Sequence, residues 1–212
     1  MAQPPHSKLL TAAARRILHP LGLFQRGRSR TWLDDHGWWL GVVEFQPSGW
    51  DKGSYLNVGA MWLWFEKDYF SINHGYRVEN FATFQDETQF APLAENLAIR
   101  AAEEVARLRS LFPSVHSAAR QLAAKPLMGF WDCFHAGVAC GLSGDTAQAG
   151  RFFDKVAGTD DKQDWVQVVV SLAREYSRAL TDLPAFRRRI EGVIRRAREM
   201  LRLPQIAAVG LE

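Results

Sequence analysis

Glu44, Gln46, Asn57 and His74 are polar side chains that alternation places inside strands rich in tryptophan. A carboxylate, two amides and an imidazole can grip a ligand or move a proton. Left without a partner in an apolar layer, each would cost about 1–3 kcal/mol. On a period of two, Glu44 and Gln46 share a face with Trp38, Leu40 and Val42, and Asn57 shares one with Tyr55 and Met61. Asn73 and His74 close the next strand on opposite faces. Converging, Glu44, Gln46, Asn57 and His74 would line a concave, tryptophan-walled pocket for a small ligand or a reaction. The competing expectation is a wet sheet face on which each group bonds nearby backbone. Ser48 and Trp50, in the break after Gln46, extend the candidate set, because exposed aromatic residues mark binding surfaces.

Cations form two further groups. Arg26, Arg28 and Arg30 alternate on one face of an expected strand, where they could bind an anion or a carboxylate-rich partner, and Arg28 and Arg30 join the candidate set. They could equally form an exposed face or a protected edge. The last helix carries Arg187, Arg188, Arg189, Arg195, Arg196, Arg198 and Arg202 against Glu191 and Glu199. Such a row can neutralise phosphates, but no nucleic-acid-reading motif accompanies it, and arginine is a good helix former. Catalytic signatures do not assemble. The run Gly141-Leu142-Ser143-Gly144-Asp145 lacks the second glycine of a nucleophile elbow. Cys133 and Cys140 lie seven residues apart on one helix face, a core spacing. Asp132 and His135 beside them make no zinc ligand set, and no HExxH pattern, phosphate-binding loop or dinucleotide fingerprint occurs. No cofactor or metal is implied.

The elements that must position these groups follow from the periodicity. Residues 1–6 read as a frayed tail, and Ser7 as the N-cap of a helix to about His19, ended by Pro20 and Gly22. Strands are expected over 24–32, 38–46, 55–65 and 69–74. The first pair is joined by a turn at 34–37 in which Gly37 takes positive φ. Short connections make the pairs antiparallel. Gly41 and Gly59, inside strands, mark a bulge or a close backbone approach. From Phe90 the period becomes 3.6, and a helix to Phe112 buries Leu93, Leu97, Ala101, Val105 and Leu108. Helices are expected over 114–124, 130–142, 146–157, 162–180 and 184–203. On the fourth of these, Trp165, Val168, Val169, Leu172, Tyr176 and Leu180 form the apolar face. The fold class is α+β: an antiparallel β-meander with flanking helices, followed by an all-helical C-terminal half. Residues 1–113 form the tryptophan-rich sheet domain, and 114–212 a helical region packed on it.

Composition sets outer bounds. A chain of 212 residues, 47% hydrophobic and 23% charged, suits a globular fold. A net charge of +3 argues for no particular partner. Two cysteines make no disulfide framework, which points to a reducing, cytoplasmic setting. No run approaches the roughly 18 apolar residues of a membrane span. The first acidic residue is Asp34, after six cations, a balance that suits a transit peptide, but the same stretch carries a structured pattern.

Four motifs resemble a bacterial family designated domain of unknown function 4304, across about residues 10–112. They are Leu21-Gly22-Leu23-Phe24, then Arg26, Arg28 and Arg30 before Trp32, then Phe45-Gln46-Pro47-Ser48, then Tyr55-Leu56-Asn57-Val58-Gly59. The resemblance implies a fold and no activity. Residues 135–145, continued by Ala149 and Phe153, are similar to one tetratricopeptide repeat, in which small residues let two helices approach across a Gly-Asp turn. One copy makes a helical hairpin, not a solenoid.

Together these features lead to the expectation of a non-catalytic binding protein that recognises another protein, an immunity- or antitoxin-like inhibitor being one such case. The rivals are a small-ligand binder or enzyme with the sheet pocket, and nucleic-acid binding through the last helix. Nothing in the sequence indicates an oligomeric state.

Overall fold

The computed structural model describes residues 4–126 and 128–211, so the first three residues of the expected tail lie outside it. The chain divides into two compact units, Met1–Trp62 with Lys67–Ser110, and Leu63–Glu66 with Leu111–Glu212.

The first unit is an antiparallel five-stranded sheet with two long helices. Helix α1 spans Pro5–Leu18 and begins on Pro4, not Ser7. Proline is tolerated in a first turn, where its missing N–H has no helical acceptor to serve. Ser7 lies inside the helix, and its hydroxyl accepts from the Arg30 guanidinium. The strands are β1 (Phe24–Gln25), β2 (Thr31–Asp35), β3 (Trp39–Gln46), β4 (Gly53–Trp62) and β5 (His74–Thr83), in the order β1-β2-β3-β4-β5. Two expected strands are corrected. The stretch 24–32 is not continuous, because Gly27 at φ 55° folds residues 26–30 into a hairpin turn, closed by Arg26 N–H to Thr31 O at 2.9 Å. The stretch 69–74 is not a strand; its successor begins at His74.

Register assigns the faces. The pairs Leu33↔Val42, Thr31↔Glu44, Glu44↔Asn57, Gln46↔Tyr55 and Asn57↔Arg77 lie on one side of the sheet. The pairs Trp32↔Val43, Trp39↔Trp62, Phe45↔Leu56 and Val58↔Tyr76 lie on the other. This second face is the core: Trp32, Trp39 and Trp62 are buried, and Trp38, just before β3, stacks on Trp62 at 5.8 Å.

Helix α2 (Glu87–Leu111) crosses that face. Asp86 Oδ1 caps its start by accepting from Gln89 N–H at 2.8 Å. Three side-chain bonds fix its course: Arg100 to Glu79 of β5, Tyr76 of β5 to Glu104, and Arg109 to Asp34 of β2. From residue 100 to 109 the helix rises about 13.5 Å, close to three inter-strand spacings of about 4.8 Å, so it spans the sheet from β5 to β2. Its inward stripe is small in the middle (Ala94, Ala98, Ala101), which leaves room for indoles beneath.

The second unit is helical: α3 (Val115–Ala123), α4 (Phe130–Ser143), α5 (Thr146–Ala157), α6 (Asp164–Ala179) and α7 (Leu183–Met200). Ser114, Asp145 and Asp182 cap α3, α5 and α7 through their side-chain oxygens. The hairpin α4–α5 turns at Gly144, left-handed at φ 90°. Gly137 lets the helices close up, since a Cβ there would meet the Phe153 ring at 2.6 Å. The inserted strip Leu63–Glu66 belongs here. Trp64 Nε1–H donates to His135 Nδ1 at 3.0 Å, and Phe65 sets its edge on Trp131. The expected apolar face of α6 is corrected in part: Val169, Tyr176 and Leu180 are buried, but Trp165 and Val168 are 48% and 57% exposed.

Candidate functional site

Cross-strand pairing on the open side of the sheet draws Glu44, Gln46 and Asn57 into one network. The Asn57 amide donates to Glu44 Oε2 and to Gln46 Oε1, each at 3.0 Å. Arg77, opposite Asn57 on β5, donates from Nη2 to Gln46 Oε1 at 3.0 Å and from Nε to Asn57 Oδ1 at 3.4 Å. Its guanidinium lies 3.9 Å from the centre of the Tyr55 ring, which in turn packs on Phe81 at 4.8 Å. Each amide is thus oriented by its neighbours, and the planar cation is held flat on an aromatic floor. Arg77 is exposed.

Beside the network is a cavity of about 220 Å³ lined by Thr31, Val42, Glu44, Phe70, Ser71 and Ile72. Its roof is the strap between β4 and β5. Asn73 pins the strap at both ends of its own residue: its N–H donates to Ala60 O at 2.8 Å, and its Oδ1 accepts from Trp62 N–H at 2.9 Å. Ile72 then settles over Gly59 and Gly75, where a Cβ on Gly59 would meet Ile72 Cγ2 at 2.4 Å and His74 O at 2.5 Å. Gly59 therefore marks a close approach, one of the two roles expected for it. Lys67 donates to Ser71 Oγ at 3.1 Å, and burial lowers its pKa. Arg26 lies over Phe70 at 5.2 Å.

The remaining candidates divide. The β1–β2 turn and the β3–β4 loop lie at the same end of the sheet, because Thr31 pairs with Glu44 and Arg30 O accepts from Phe45 N–H. Arg28 is exposed in that turn. In the loop, Ser48 Oγ accepts from the N–H groups of Trp50 and Asp51 at 3.1 and 3.3 Å, which presents Trp50 at 96% exposure. Arg30 leaves the set. It turns to the helix side, donating to Gly53 O at 3.1 Å and to Ser7. His74 leaves it as well: opposite Ala60, at the far end of β5, it occupies the tryptophan face. The tryptophan-walled pocket is overturned, since Trp32, Trp38, Trp39, Trp62 and Trp64 are all buried; of the strand-region indoles only Trp50 is open. Large indoles are stabilised by about 25 cal/mol per Å² on leaving water, so they fill the core and leave the polar end of the other face, around Glu44, Asn57 and Arg77, to the water.

Arg77 and Tyr55 were not among the residues the sequence singled out. The signal for Arg77 was the alternation of Tyr76, Val78 and Ala82 after Gly75. The basic row of the last helix is largely committed within its own unit. Arg187 donates to Leu142 O and Leu211 O, Arg189 pairs with Glu175, Arg196 with Glu66, and the buried Arg198 bonds Pro204 O. Among the described residues no group of three or more His, Cys, Asp or Glu side chains could hold a metal ion. Among them, too, no helix is long and apolar enough to cross a membrane.

Fold and site define a tryptophan-cored α+β unit whose other sheet face is polar and pre-bonded at one end and buried around Leu33, Leu40, Val42 and Met61. Compared with family models, curated proteins and solved structures, the chain matches none.

Proposed function

We propose that this protein is a non-catalytic binding protein that recognises a polypeptide partner on the open face of its sheet, near the β3–β4 loop. One observation carries the reading: Trp50, Tyr55 and Arg77, the residue types that dominate binding energy at protein interfaces, gather at one end of one sheet. The guanidinium is already stacked and hydrogen-bonded, so little side-chain entropy remains to be lost on association. The neighbouring cavity, about 220 Å³, is below the usual 300–1,000 Å³ of small-molecule sites and suits a single partner side chain. An inhibitor of the immunity or antitoxin kind, acting in the cytoplasm, fits this reading. So does kinship with the domain of unknown function 4304 family, whose resemblance falls on Gln46, Ser48 and Asn57.

The test is quantitative affinity capture from the organism of origin with wild-type, Trp50→Ala and Arg77→Ala proteins matched in melting temperature. A stoichiometric protein retained by wild type and lost from either variant supports the reading. No such protein, or equal retention by all three, sinks it.

A second reading rests on the Ser71 hydroxyl and the Glu44 carboxylate lining the same cavity, with the Lys67 amine bonded to Ser71. It is a small-ligand pocket or a minor catalytic one. A metabolite thermal-shift screen whose hits vanish in a Glu44→Ala/Asn57→Ala variant would favour it; a screen without hits would remove it.

A further inference from the structure

Helices α6 and α7 run antiparallel, and their register is set by the ion pair between Glu175 and Arg189. Beyond that pair, Val168 and Leu172 of α6 and Val193 and Arg196 of α7 line one cavity of about 280 Å³ together with Phe65, Glu66 and Tyr176. Trp165 and Val168, one turn apart on α6, are 48% and 57% exposed, so two large apolar side chains follow one another along the open side of that helix. Trp165 is backed by Trp131, stacked parallel at 6.0 Å, and by the edge of Phe130, and stays half-exposed. A second hollow of about 440 Å³ shares Val168 and Leu172 and widens the furrow on the α6 side.

Length, shape and charge select the occupant. From residue 165 to 175 the furrow runs about 15 Å, three turns of helix. Its apolar members repeat at the spacing of a helix stripe, the pattern that receives an amphipathic helix. Its two rims differ in sign: the α6 rim carries Asp164 and Glu175, and the α7 rim carries Arg189 and Arg196. The Arg196–Glu66 and Arg189–Glu175 pairs are half-exposed, so their groups remain within reach of a visitor. A second copy docked hollow to hollow would fill neither.

We propose that the α6–α7 furrow docks an amphipathic α-helix of a partner protein. That helix is about three turns long, with apolar side chains in one row, basic residues along the α6 flank and acidic ones along the α7 flank. This surface shares no residue with the sheet face bearing Tyr55 and Arg77.

The probe is a fluorescein-labelled peptide of about 14 residues with leucine at i, i+4, i+7 and i+11, lysine on one flank and glutamate on the other. Its anisotropy is followed on the full chain. Saturable binding in the micromolar range is expected, about tenfold weaker or more for Val168→Glu and for a scrambled peptide of equal composition. Val168 is exposed, so its replacement should leave the melting temperature unchanged. Trp50→Ala and Arg77→Ala should bind as wild type does, which separates failure here from failure at the sheet. No saturable binding, or equal binding by Val168→Glu, overturns the proposal. So does a dimer, seen by sedimentation, that Val168→Glu dissociates, for then the occupant is a second copy.

Discussion

Arg109 holds Asp34 by two parallel bonds, Nε–H to Oδ2 at 2.8 Å and Nη2–H to Oδ1 at 2.7 Å, joining residues 75 positions apart. The His36 ring closes on the same Oδ2 at 2.7 Å and stacks on Trp39 at 4.2 Å. Asp34 is 4% exposed, and burial by itself would raise its pKa; the two partners outweigh burial and hold it below the ordinary value. The carboxylate is the clasp between the end of α2 and the tryptophan face.

Arg109→Leu should therefore cost more than Asp34→Asn. Removing the arginine leaves a buried charge with only His36, whereas the amide removes the charge itself. Arg109 is partly exposed, so we expect about 2 kcal/mol for Arg109→Leu, between the values for surface pairs and for broken buried ones. Urea midpoints at pH 7 measure it. Because the Asp34 pKa is depressed in the folded state, the clasp stabilises above the unfolded carboxylate range and is lost as pH falls below about 4. Asp34→Asn should flatten that acid limb of the stability curve.

A second acid sensitivity lies at higher pH. His6 is 8% exposed in α1, with its ring 5.5 Å from Phe84 and 6.5 Å from Phe90. Burial first, then the charges of Arg30 and Lys52, push its pKa below the ordinary 6.5. The unfolded chain takes up that proton before the folded one does. Stability is thus complete above pH 6.5 and declines as pH falls through and below it. His6→Leu keeps the apolar packing and removes the proton site. Melting temperatures at pH 7.5 and 5.0 should differ less in the variant than in wild type; an equal difference would assign the effect elsewhere.

That Glu44 and Gln46 share a face, and that Asn57 shares one with Tyr55, was legible from alternation, because residues of a half-wet strand obey a period of two whatever covers them; the register that sets Glu44 opposite Asn57 was not. The way the strap folds was not. Tyr69, Phe70 and Ile72 are good strand formers, and local propensity favours a strand there. What overrides it is non-local: Asn73 bonds back to Trp62 and Ala60, and two facing glycines admit Ile72. Shifting the start of β5 changed which side chains it offers, so Arg77 was missed and His74 was placed with the wrong group. The buried indoles carry the same lesson. Trp32, Trp39 and Trp62 within the strands show that one face is aromatic, but only the tethers of α2 reveal that this is the face the helix covers. The helical half was read closely, because its caps Ser114, Asp145 and Asp182 and its glycine turn act within a few residues.

That glycine pair makes a sharp prediction. A methyl group on Gly59 would sit 2.5 Å from His74 O and 2.8 Å from Gly75 Cα, backbone atoms that cannot swing aside. Gly59→Ala should destabilise the first unit by about 1–3 kcal/mol or more and lift the strap from the sheet. Hydrogen exchange should show faster exchange at Asn73 N–H, which bonds Ala60 O. Gly49→Ala, with open space around it, is the control and should change little.

The two thiols supply the last test. Cys133 and Cys140 are buried on the inward face of α4, 5% and 1% exposed. Burial pushes both thiols up, Cys140 to about 11, aided there by the Asp145 charge. Against an ordinary value of 9, that leaves roughly a hundredfold less thiolate at Cys140 near neutral pH, and thiolate is the form that reacts. Iodoacetamide at pH 8 should label neither cysteine in the native protein within the time that labels both in guanidinium chloride, as read by mass spectrometry. Native labelling of Cys140 at the unfolded rate would mean that α4 opens readily from the helices around it, contrary to the packing of Gly137 on Phe153 and of Gly141 on Phe186.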